Sequence, residues 1–190
     1  MTIIEDRLSI VETIELAHGA HRDLDAGACL LEAVSYIAGE PWSDHPACVC
    51  PSLAAFGRSW NDALDDEARN RILKPFIPRL VGTRSTPAVQ DARAFMAADW
   101  AVRTFTPAWL RLAGLEAEAA SLEALPAMSS TELCKAAMPT VRAAQKSGAA
   151  AGDAAWDAPW DAAWDAAGDA AWAAAWAAVE LFERMIAVTA

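Results

Sequence analysis

The stretch GDAAWDAPWDAAWDAAGDAAWAAAWAA, residues 152–178, repeats every four residues. Gly152, Trp156, Trp160, Trp164, Gly168, Trp172 and Trp176 hold one row, and Asp153, Asp157, Asp161, Asp165 and Asp169 follow one position later. Alanine fills most of the remainder, and alanine has the highest helix propensity, so the run reads as helix. A period of four overshoots the 3.6 residues of a helical turn, and each repeat carries the tryptophan row about 40° further round. Between Trp156 and Trp176 the row winds through about 200°, so no single flat neighbour buries every ring. Pro159 lacks an N–H for the Ala155 carbonyl and predicts a kink.

Outward from the repeat, the chain keeps the helical signal. Ile4, Leu8, Val11 and Ile14 share one face of a first helix ending near Gly19, and Leu30, Leu31, Val34 and Ile37 do the same for a second, stopped by Gly39-Glu40-Pro41. A third starts after Pro51 and carries Leu53, Phe56 and Trp60. Asp65 is placed to cap a fourth, which Pro75 and Pro78 must break or shorten. Thr86-Pro87 and Thr106-Pro107 each put a capping hydroxyl before a proline at the first helical position, predicting two helix starts. Ser129 with Glu132 has the spacing of a capping box, with Pro139 a further point of bending. Strand signals are nearly absent. The expected fold is all-α: a single-domain helical bundle over residues 1–146, with the long repeat helix of residues 147–190 packed on it.

Residues Gly27 to Val34, Ser43-Asp44-His45-Pro46-Ala47-Cys48-Val49-Cys50-Pro51, Trp60-Asn61-Asp62 and Arg79 to Arg84 together resemble a group of bacterial and phage-encoded helical proteins. Members of that uncharacterised group join such an N-terminal half to an Ala-rich, Trp-containing C-terminal helix. The resemblance covers most of the chain and implies a grouping without an activity.

The chain's 190 residues carry 15 Lys and Arg against 26 Asp and Glu, a formal charge of −11, which disfavours nucleic acid and anionic lipid as partners. Arg69, Arg71, Lys74, Arg79 and Arg84 form the densest basic stretch, read as a solvated helix face balancing Asp65, Asp66 and Glu67. Met1 to Asp6 lack the basic start and apolar core of a signal peptide, and no apolar run is long enough to cross a membrane, so a cytoplasmic protein with reduced cysteines is expected.

His18, His21 and His45 lie in the first quarter of the chain with Cys29, Cys48 and Cys50. Imidazole and thiolate are the usual zinc ligands, so Cys48, Cys50 and His45, completed by Cys29 or His21, are the candidate metal site, and zinc or iron the candidate cofactor. Against it, Cys-x-Cys seldom closes a tetrahedral site, and buried cysteines are common in cores. Cys29 opens a helix and is a second chemical candidate, a thiol activated by the helix dipole with His45 or His21 as base. No orienting third residue accompanies it, and no catalytic residue is assigned.

Three uses remain for the repeat. Its rings are core residues of the bundle, with Trp164 and Trp172 inside; or Trp156, Trp160, Asp157, Asp161 and Asp165 bind a protein partner or a second copy of the chain; or the aspartate row mimics a nucleic-acid backbone and draws a basic protein. The leading expectation is a non-catalytic helical interaction or scaffold protein, with metal binding and nucleic-acid mimicry as alternatives.

Overall fold

The structure is a computed structural model that describes the main chain of residues 2–155 and 176–189, and side chains over 2–151 and 176–189. Trp156, Asp157, Pro159, Trp160, Asp161, Trp164, Asp165 and Trp172 therefore lie outside the described residues, and with them the expected kink, the partner row and the buried pair. The described chain is all-α, as its periodicity requires, and holds no strand, only an isolated bridge between Leu16 and Ala28.

Its helices are α1 (Glu5–Thr13), α2 (Leu30–Ile37), α3 (Pro51–Ala63), α4 (Asp66–Leu73), α5 (Ile77–Leu80), α6 (Pro87–Trp100), α7 (Thr106–Leu112), α8 (Glu116–Glu123), α9 (Thr131–Ala155) and α10 (176–187). Main-chain proximity divides the chain into two compact units, one of residues 1–94 with 183–190, the other of residues 95–182.

In the first unit α2 is the central element. Leu30, Leu31, Ala33, Val34 and Ile37 are all fully buried, and α1, α3 and α5 pack around it. Asp65 caps α4 by accepting from the Ala68 N–H at 2.8 Å, as its sequence position predicts. Pro75 and Pro78 then shorten the helical path as expected: the chain passes through a tight 3-10 turn, Lys74–Phe76, into the single turn of α5.

The second unit buries Leu110, Ala119, Leu122 and Ala144 where α7, α8 and α9 meet, with Val102, Leu115, Leu125 and Val141 packed around them. Here Thr106-Pro107 stands at the start of α7, but not as a capped start, because the residues before it are already helical. The chain runs unbroken from Pro87 to Leu112 through one π turn, Ala101–Phe105. Pro107 has no N–H to offer the preceding turn, and the wider turn absorbs the defect. Both the N–H and the hydroxyl of Thr106 donate to the Ala101 carbonyl, the hydroxyl at 2.7 Å. The expected cap residue therefore acts inside a helix. At the start of α9 the cap falls on Ser130, whose hydroxyl accepts from Leu133 N–H, one residue beyond the Ser129 of the expected box. Pro139 lies within α9, which continues through residue 147, where the sequence composition changes.

Leu122 is 1% exposed at the centre of this second core, so Leu122→Ala should cost about 3 kcal/mol of stability in urea denaturation. Leu112→Ala, at a site 45% exposed, should cost less than about 0.5 kcal/mol in the same measurement.

Candidate functional site

Polar chemistry in the first unit gathers around the irregular segment between α1 and α2. Residues 14–29 have no helix of their own beyond a single 3-10 turn, Leu24–Ala26, yet parts of the segment are buried, and buried N–H and C=O groups need partners. Side chains from three helices supply them.

From α4, the Asn70 amide accepts from Leu16 N–H at 2.7 Å and donates to the Leu16 carbonyl at 3.2 Å. From α3, the fully buried Asn61 accepts from Leu30 N–H at 3.1 Å and donates to the Ala17 carbonyl at 3.0 Å. Its neighbour Asp62 accepts from Gly19 N–H at 2.9 Å. Burial works against the Asp62 carboxylate, but hydrogen bonds from Asn61 and Gly19, with the charges of His18 and Arg69 nearby, outweigh it and hold the group below its ordinary range.

From α2, Glu32 is 1% exposed and is the most heavily engaged group. One carboxylate oxygen accepts from His21 N–H at 2.6 Å; the other accepts from Cys29 N–H at 2.8 Å and meets His21 Nδ1 at 2.9 Å. Trp42 Nε1 donates to the His21 carbonyl at 2.8 Å, closing the other side of the residue. Gly27 adopts φ +124°, a conformation L side chains rarely take, and a Cβ there would stand 2.7 Å from His21 Cδ2. Two separate reasons thus require glycine beside the ring.

The candidate metal ligands do not converge. His21 is held by Glu32, while His45 is 67% exposed and bonds Asp44 at 2.6 Å through Nδ1. Cys29, Cys48 and Cys50 are free and buried. Among the described residues no group of three or more His, Cys, Asp or Glu side chains is placed to hold a metal ion. The proximity of these residues in sequence therefore does not bring them together as a metal-binding group.

The three thiols differ. Burial, reinforced by the Glu32 carboxylate, pushes Cys29 up to about 12, so the dipole activation expected for a helix-opening cysteine is overridden. Burial also raises Cys48. Cys50 goes the other way: burial opposes its thiolate, but the Arg93 guanidinium and the Leu53 and Ser52 amides at the start of α3 more than offset it.

Two arginines complete the interior. Arg69, expected on a solvated face, is 2% exposed; it donates from Nε to the Asn61 carbonyl at 2.7 Å and from a terminal nitrogen to the Leu64 carbonyl at 2.5 Å, closing the end of α3. Its remaining nitrogen meets Asp66 at 2.6 Å. Arg93, 3% exposed, donates to the carbonyls of Thr83, Met185 and Val188 at 2.6, 2.8 and 2.8 Å.

The sequence held a signal for the interior residues. Glu32 falls among the apolar residues of α2, and Asn61 falls four residues after Gly57 and seven after Ala54, on the buried face of α3. A polar residue on an apolar face must find a partner, and here the partner is irregular main chain. Compared with protein-family models, with curated proteins and with solved structures, the chain matches none.

Glu32→Ala removes the acceptor of the part-buried His21 N–H and of the buried Cys29 N–H and should cost about 3 kcal/mol in chemical denaturation. Cys29 makes the fold alkali-sensitive. Its folded-state value of about 12 lies above the ordinary 9.0, so the contribution is complete below pH 9.0 and is lost as the pH rises toward 12. Denaturation midpoints of the wild type and Cys29→Ala, compared between pH 8 and 11, should converge as the pH rises, with a limiting slope of about 1.4 kcal/mol per pH unit.

Proposed function

We propose that the chain is a non-catalytic helical interaction protein whose apolar contact residues lie at the end of the Ala/Trp/Asp repeat. The observation that carries this reading is Trp176, the last ring of the row, which is 58% exposed. Tryptophan is the side chain most enriched at binding hot spots, and a ring held in water is costly unless something covers it. Trp109 and Leu112 on α7 are also exposed, at 38% and 45%.

The interior of the first unit supports the same reading. Glu32, Asn61, Arg69 and Arg93 direct their hydrogen bonds mainly to main-chain groups, which is the work of a scaffold. The net charge of −11 favours a basic protein partner. Grouping with the bacterial and phage-encoded Ala/Trp-repeat proteins belongs to this proposal.

Trp176→Ser should leave the denaturation midpoint within about 0.5 kcal/mol of wild type, since the ring is exposed. The same change should abolish self-association in sedimentation velocity, or the stoichiometric capture of a basic protein by the full chain. A wild type that stays monomeric at high micromolar concentration and captures the same proteins as Trp176→Ser overturns the reading.

A further inference from the structure

Between α1 and the chain from Lys74 to Pro78 the first unit has an open groove of about 240 Å³. One wall is Leu8, Val11 and Glu12, which recur at three- and four-residue spacing on α1; the other is Lys74, Pro75, Ile77 and Pro78. Val11 and Ile77, 1% and 2% exposed, are its floor, Leu8 and Pro78 are half-buried, and Pro75 is exposed at the rim. The two prolines that shorten the helical path here bring ring carbons and no N–H to the groove, so its lining is apolar apart from one cation and one anion. Its volume sets the scale of the occupant. Pockets for cofactors and other small molecules begin at about 300 Å³, so this groove suits a single large side chain.

Trp176 is a side chain of that size, and at 58% exposure it is not seated within its own chain. Glu180 follows it by four residues in α10, so the ring and the carboxylate leave the helix on one face, and both are exposed. Among the described residues neither Lys74 nor Glu180 takes part in an ion pair. A ring entering the groove with this carboxylate beside it is drawn to the Lys74 wall and repelled by Glu12, which selects one orientation.

We propose that the groove between α1 and residues 74–78 receives Trp176 of a second copy of this chain, with Glu180 of that copy paired to Lys74. The inference rests on the reading of Trp176 as a contact residue, and it names what the ring contacts. Every copy carries one ring and one groove, so a reciprocal exchange between two copies uses both. An aromatic ring buries about 150–250 Å², and two of them fall well short of the about 1,200 Å² of a stable interface. The charge of −11 on each chain also opposes association, so the dimer is weak and forms at high micromolar concentration.

Sedimentation equilibrium of the full chain, carried to high micromolar concentration, gives the dimer dissociation constant for the wild type and each variant. Trp176→Ser and Leu8→Gln should each weaken the dimer by at least about tenfold. Lys74→Glu and Glu180→Lys should each weaken it by about threefold or more, and the double variant should return to within about twofold of wild type, a rescue that damage to the fold does not produce. A dimer lost in Trp176→Ser but indifferent to Leu8→Gln and to both charge reversals overturns the proposal, as do reversals that add in the double variant. A wild type that is monomeric throughout also overturns it. In that case capture of a basic protein through Trp176 leaves the contact reading standing, loss of that capture in Leu8→Gln assigns the groove to the foreign partner, and no capture at all removes both readings.

Discussion

Irregular main chain that is buried even in part must find partners among side chains there, and residues 16–29 impose that demand on the helices around them. Glu32 answers it at His21 and Cys29, Asn61 at Ala17 and Leu30, Asp62 at Gly19 and Asn70 at Leu16. Those four side chains sit on α2, α3 and α4, so the segment fixes the mutual placement of three helices at once. Apolar contact alone would allow these helices to slide over one another; hydrogen bonds to specific amides do not.

The same logic recurs with positive charge. Arg69 closes the end of α3, and Arg93 gathers carbonyls from positions far apart in sequence. Such groups give a frame its uniqueness more than its stability, since their desolvation offsets much of what their bonds contribute.

The helical class was legible because periodicity and helix stops report local physics. Asp65 caps α4, Thr86-Pro87 opens α6, and Pro75 with Pro78 shortens the path to α5, all as their spacing dictates. Thr106-Pro107 carries the same signature as Thr86-Pro87 but lies within a longer helical path. There the surrounding helix absorbs the proline as a π turn, which no four-residue motif encodes. The cysteines and histidines misled in a different way. Nearness along the chain suggested a common centre, but Glu32 takes His21, Asp44 takes His45, and burial takes Cys29, each a partner choice made by tertiary structure. The engagement of Arg93 with residues 185 and 188 was beyond reach for the same reason.

That last engagement has a bearing on how the protein is made. Arg93 leaves the ribosome long before the Met185 and Val188 carbonyls exist, since 92 and 95 positions separate the partners. The 95–182 unit is synthesised in the interval and finds all its own contacts within a continuous stretch of chain. Of the two units, the one that starts first is therefore completed second, and its interior cation waits through the synthesis of the other for the carbonyls that will enclose it.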